Sequence, residues 1–463
     1  MRLPLVVVAV VLVLVCGTLW WVKFDHAPPQ VEFQGEANVV GRNAAWDFVV
    51  RVSGWPGLRR ITVELVSQGK RYPLFTEEQP SVGFIGSRIA ERSLHVTSDL
   101  SALGVTEGPA QLEVSADTYA WHLIPPRLAP VAERPVTIDL TPPTVELLTT
   151  QHNMWLGGSA AAVFRVTPDT TAAGVQVGEY FFPAVNGYFA DPNVKLVLFA
   201  VPQDLSTAAR PQARANDAVG NTRLLDLPCL IRERRFPERT MALDDQFLQR
   251  KVPELLSKNG LPPEADLVKG YLRINGELRA QTEKRLREVT ATSAPKPLWD
   301  GPFHRQSNSA PMSAFADRRT YTYGGQPIDH KTHLGYDLAS VLRAPVEAAQ
   351  NGTVVFAGDL GIYGGTVVID HGLGVFSLYG HLSSITVQPG QQVRTGEHVG
   401  QSGETGLAGG DHLHFSVMLD GVHVDPREWW DPKWLKDHVN PALAMFPVAG
   451  AATPAGGAAA AER

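Results

Sequence analysis

Between His333 and His414 stand five side chains whose types and spacing suit metal binding and proton transfer. His333 and Asp337 form H-x-x-x-D. An imidazole nitrogen and a carboxylate oxygen suit a borderline divalent cation such as zinc. The pair alone is also an ordinary surface pattern. His412 and His414 flank Leu413, with Phe415 and Val417 following. This alternation of period two predicts a strand with both imidazoles on one face and Leu413, Phe415 and Val417 turned to a core. By itself the string also fits a chance polar face. His381 ends the apolar run 375–380 and, taken singly, fits a structural histidine better than a catalyst.

Taken together, HLGYDLA (His333 to Ala339), LYGHLS (Leu378 to Ser383) and DHLHFSV (Asp411 to Val417) resemble the lysostaphin-like, LytM-type zinc metallopeptidases, which cut the peptide part of bacterial peptidoglycan. The glycine-rich stretches 351–358, 363–371 and 399–406 and the Val-Asp-Pro at 424–426 belong to the same resemblance, which covers roughly Ser313 to Trp430. It implies a glycine-rich β-sheet of the LytM type (duplicated hybrid motif-like). It also implies one Zn2+ held by His333, Asp337 and His414, and two catalytic histidines off the metal, His381 and His412. Some relatives have lost ligands and only activate other cell-wall hydrolases; here the set is complete. The string 313–324 resembles the opening strand of that domain. Related sequences often carry glycine where Ala316 stands.

Amide hydrolysis needs a nucleophile at neutral pH and stabilisation of a developing oxyanion. Three protein ligands leave one zinc position for water or a carbonyl, and the ion can then polarise that carbonyl and acidify that water. His381 and His412 are expected to carry protons or to donate hydrogen bonds to the tetrahedral intermediate; the sequence leaves open which does which. There is no H-E-x-x-H helix. Segments 359–365 and 404–411 read as glycine-rich loops that wall a peptide groove, or as plain hairpin turns. His371 and His398 read as structural or exposed. Arg318 or Arg319 could meet a peptide carboxylate, although an exposed arginine is the default.

The fold class expected is mainly β. Residues 28–140 carry short alternating runs that predict a β-sandwich-like domain, and 141–228 an immunoglobulin-like β domain. The string 213–221 resembles the closing strand and turn of bacterial immunoglobulin-like modules. Residues 229–300 form a helical segment and linker. Leu267, Tyr271, Ile274 and Leu278 share one helical face, opened by Pro262 and Pro263. That stripe is expected to pack on the chain's own domains, and the segment could cover and restrain the groove. The peptidase-like domain spans 301–447, and the alanine-, glycine- and proline-rich tail 448–463 is expected to be disordered.

At the N-terminus the apolar stretch Leu3 to Val22, with Trp20 and Trp21 at its far end, predicts an uncleaved transmembrane helix and a membrane anchor over 1–24. The expected location is the inner membrane, single-pass, with the catalytic domain in the periplasm or cell envelope. Cys16 and Cys229 are the two cysteines of the 463-residue chain, and no disulfide between them is expected. A formal net charge of −6 without a basic cluster argues against nucleic acid. The expectation is a zinc-dependent endopeptidase acting on stem or cross-link peptides, with peptidoglycan peptides and envelope proteins as partners. The alternatives are a non-cleaving activator of a cell-wall amidase and an envelope structural protein working through its β modules.

Overall fold

The structure, a computed structural model, describes the chain outside residues 1–2, 24–27, 36–37, 53–56, 84–85, 121–129 and 451–463, and gives only the backbone of 3–6, 19, 21 and 22. The expected disordered tail therefore lies, from residue 451 on, outside the described residues. Two compact units emerge: 1–143 with 216–222, and 144–215 with 223–463.

The first unit begins with helix α1 (Leu3–Lys23). The strands after it alternate buried and exposed side chains, as the sequence pattern requires of half-buried strands. A three-stranded sheet runs in the order Gln30–Gln34, Asn43–Arg51, Glu91–Asp99. A five-stranded sheet includes Leu58–Ser67 and Gly108–Thr118. Trp46, Phe48 and Val50 of the first sheet share a core with Ile61, Val63 and Leu65 of the second.

One expectation is overturned here. Helix α1 forms over the predicted apolar stretch, but among the described residues no helix is long and apolar enough to cross a membrane. The predicted transmembrane helix, and the membrane anchor built on it, are accordingly not supported.

The second unit is organised around one antiparallel sheet. Its strands are β2 (Ala310–Ser313), β5 (Tyr336–Ala339), β6 (Gly352–Asp359), β7 (Gly365–Gly372), β8 (Val375–Leu382), β9 (Gln392–Val393), β10 (Leu413–Leu419) and β11 (Val422–Val424). The order is β2-β5-β10-β8-β7-β6-β9, with β11 paired to β10. Both faces are covered, so the central strands are buried throughout rather than half-buried. Alternation sorts the side chains. Val375, Tyr379, Leu413, Phe415 and Val417 enter one core together with Phe164, Leu196 and Phe199 of the β module at 144–215 and 223–232. Phe376, Leu378 and Met418 enter the other, with the helical segment.

That segment comprises strand β1 (Glu238–Leu243) and helices α2 (Asp245–Lys258), α3 (Leu267–Arg273) and α4 (Arg279–Val289). A π-turn, Ile274–Leu278, joins α3 to α4. Asp266 caps α3 by accepting from the Val268 and Lys269 amides at 3.0 and 3.1 Å. The predicted stripe packs inward: Tyr271, Ile274 and Leu278 are buried against the sheet and Leu267 partly so. Strand β1 pairs in parallel with β3 (Asp317–Tyr323), which pairs with β4 (Gln326–His333).

Candidate metal and catalytic site

The register of three strands assembles the site. Asp337 on β5 lies opposite His414 on β10, and Gly380 on β8 lies opposite His414 from the other side. His333 ends β4, four residues before Asp337. His333 Nε2 lies 2.8 Å and His414 Nδ1 3.1 Å from Asp337 Oδ1. The two nitrogens are 3.0 Å apart. All three residues are buried and can converge on a single ion.

Outer hydrogen bonds fix the tautomers. His333 Nδ1 donates to the Ala314 carbonyl at 3.0 Å. Ser416 Oγ gives its proton to the Leu334 carbonyl at 2.6 Å, so it accepts from His414 Nε2 at 3.0 Å. Each neutral ring therefore turns a lone pair inward, beside a carboxylate oxygen. Three acceptors at this separation repel unless a cation lies among them. A proton can serve one pair; a divalent ion serves all three. The donor set thus fits zinc, with the outer-shell orientation such sites require. Gly335 is part of this fit, because a Cβ there would come within 2.6 Å of His414 Nε2.

His381 and His412 face the same point. His412 Nδ1 donates to the Gly410 carbonyl at 2.8 Å, leaving Nε2 3.4 Å from Asp337 Oδ1. His381 Nδ1 donates to the Thr405 carbonyl at 2.8 Å, and the His381 and His412 ring centroids are 4.9 Å apart. His381, next to the end of β8, has φ +64°, a left-handed conformation unusual for a residue with a Cβ. Ala316 has φ +59°, which accounts for the glycine that related sequences carry there.

Charge distribution separates the group. Burial works against ionised Asp337, but the surrounding His333, His412 and His414 hold its carboxyl well below the usual range. Burial, with His412 and His414 alongside, pushes His381 well below an ordinary imidazole. Burial takes His414 down to about 4. For His412 burial is outweighed by Asp337 and the Gly410 carbonyl, and the value rises. Arg319, read as exposed by default, is instead largely buried and donates from Nη2 to Asp337 Oδ2 at 2.8 Å. Arg318 remains exposed. His371 is buried, bonded to the Asn351 carbonyl and Ser377 Oγ at 2.7 Å each, and His398 is exposed.

A cavity of about 800 Å³ opens onto the four histidines. Its lining includes Tyr363 and Leu407 from the two rim segments, and Phe247, Arg250 and Tyr271 from the helical segment. The sequence pointed to the rim and raised the helical segment as a cover for the groove, without naming Phe247, Arg250 or Tyr271 as its lining. Ser416 was within its reach, since it sits two residues beyond His414 on the same strand face.

Residues 331–426 match the model of Peptidase family M23. The C-terminal part of the chain thus carries an M23 domain of the LytM type. The "DD-carboxypeptidase/endopeptidase Mpg" of Neisseria meningitidis serogroup B is 40% identical over 108 residues, 23% of this chain and 25% of that protein. The "Murein hydrolase activator EnvC" of Escherichia coli is 39% identical over 109 residues, 24% of this chain and 26% of that protein. A crystal structure of a putative peptidase M23 from Pseudomonas aeruginosa aligns at 23% identity over 60% of this chain and 94% of that one, with a TM-score of 0.36. The chain therefore spans about a quarter of the length of these curated relatives.

Proposed function

We propose that this protein is a zinc-dependent endopeptidase that hydrolyses peptide bonds in peptidoglycan, in stem or cross-link peptides, within the cell envelope. One observation carries the reading. Four histidines, each pinned from behind by an oxygen, turn their acceptor nitrogens toward one carboxylate at the end of a cavity large enough for a peptide. His333, Asp337 and His414 would hold the ion, which would polarise the scissile carbonyl and make an attacking water acidic.

The remaining work belongs to the chain. With Nδ1 protons committed to carbonyls, His381 and His412 can each take a proton at Nε2. The carbonyls of Thr405 and Gly410 then stabilise the imidazolium that forms. Asp337 lies closer to His412, so His412 is the better holder of that proton and the one placed to return it to the leaving amine. Arg319 fixes the carboxylate orientation through Oδ2, leaving Oδ1 for the ion.

Similarity to a murein hydrolase activator raises a second reading, a protein that stimulates an amidase without cutting. The complete donor set counts against it. Mass spectrometry of muropeptides released from purified sacculi decides. Cleaved cross-links with the zinc-loaded protein, and none with His381→Ala, are expected. A zinc-holding protein that releases nothing would sink the peptidase reading and favour the activator.

A further inference from the structure

Four arginines line the cavity, and three of them are already engaged by carboxylates of the chain. Arg319 is held by Asp337, Arg250 Nη1 lies 3.1 Å from Glu404 Oε2, and Arg239 Nε lies 3.6 Å from Asp317 Oδ2. Arg279 makes no ion pair among the described residues. Its Nε and Nη2 both donate to Asn275 Oδ1, at 3.1 and 2.6 Å. Two donors thus share one neutral acceptor, and Nη1 is left over. Asn275 is itself immobilised, fully buried and bonded through Nδ2 to Asp329 Oδ2 at 2.9 Å.

Two further features mark this wall as built. Arg279 directly follows the π-turn, and such turns interrupt otherwise regular helices frequently at functional sites. Tyr271, one helix earlier and 1% exposed, also lines the cavity, yet its hydroxyl makes no hydrogen bond. Glu283, one turn beyond Arg279, interacts with its charge but makes no ion pair with it: it accepts from Tyr363 Oη at 2.9 Å and faces His423 at 3.4 Å. The guanidinium is half-buried, where a charge-assisted pair is stronger than in open water.

We propose that Arg279 binds a free carboxylate of the peptide lying across His381 and His412, so that the helical segment supplies a specificity subsite. This rests on the reading of the chain as a peptidoglycan peptidase. The planar fork suits a carboxylate better than a point charge would. Substrates would then be acidic peptides with a carboxylate to one side of the scissile amide. Their amidated counterparts would bind poorly.

The test is calorimetric binding of a cross-linked stem-peptide dimer, as the free acid and fully amidated, to the zinc-loaded full chain carrying His381→Ala. The free acid is expected to bind about tenfold or more tightly, the usual worth of a charged hydrogen bond. Adding Arg279→Gln should erase that preference. Arg279→Lys, which keeps the charge but not the fork, should retain part of it and carries the test if the glutamine variant melts early. An unchanged preference in these variants, or none in the parent, overturns the proposal. Preference without sacculus cleavage by the unmutated chain would overturn the peptidase reading and leave the subsite standing.

Discussion

At the scale of the residue, the site depends on the oxygens behind the ligands as well as on the ligands themselves. Ser416 can orient His414 only because its own proton is committed to Leu334. Ser416→Ala removes the acceptor for Nε2–H and lets the ring adopt the other tautomer, whose inward nitrogen is protonated. The expected result is a loss of zinc affinity of about 10- to 100-fold, the range for such outer partners, read by competition with a chromophoric chelator. Unchanged affinity would mean that the tautomer is set elsewhere. The ligands themselves were legible because ligand chemistry is restricted to a few side-chain types at short spacing. The carbonyls of Ala314, Thr405 and Gly410 were not, because every residue has one and only the fold selects which faces inward.

At the scale of the element, the alternating strand at 412–417 was legible from its period, but its surroundings were not. The pattern suggests one core face and one wet face; in fact both are covered, and the helical segment lies over the site side. Its attachment is specific. Lys251 is buried on α2 and donates to the Glu404 carbonyl, Arg250 pairs with Glu404, and Lys258 Nζ lies 2.7 Å from Asp359 Oδ2. These links join α2 to both rim segments across more than 100 residues of chain, a separation at which periodicity carries no information. Glu404 precedes Thr405, the residue that orients His381. Lys251→Met keeps the buried stem and removes the tether. We expect kcat on muropeptide substrate to fall about tenfold, since small misplacements of a catalytic group are costly, with KM and the melting temperature changing little. An equal fall in stability would instead make the tether purely structural.

At the scale of the whole second unit, the β module at 144–215 and 223–232 is not a loosely strung spacer. It shares one core with the catalytic sheet, and a buried polar contact crosses the junction. The Ser159 amide and hydroxyl donate to Glu428 Oε2 at 2.8 and 2.9 Å, on helix α5 (Pro426–Trp430). Burial, with Asp425 nearby, nevertheless lifts the Glu428 carboxyl from 4.5 to about 8. The folded state therefore keeps a proton that the unfolded chain has lost, from the ordinary glutamate range up to about pH 8. Where the folded state binds more protons, stability falls as pH rises. Asp420, raised to about 7 by burial and by Asp370, adds the same sign, while His371, lowered to about 4 by burial, acts oppositely and only below its ordinary value of 6.5. The informative window is thus pH 6.5 to 8, where the melting temperature of the second unit should decline. Glu428→Gln cannot ionise and keeps an oxygen for the Ser159 donors, so its curve should be flatter across that window and meet or exceed the parent at pH 8. Parallel curves for the two proteins would show that Glu428 is ionised in the fold, its charge carried by the Ser159 donors and Arg234 rather than neutralised by a proton.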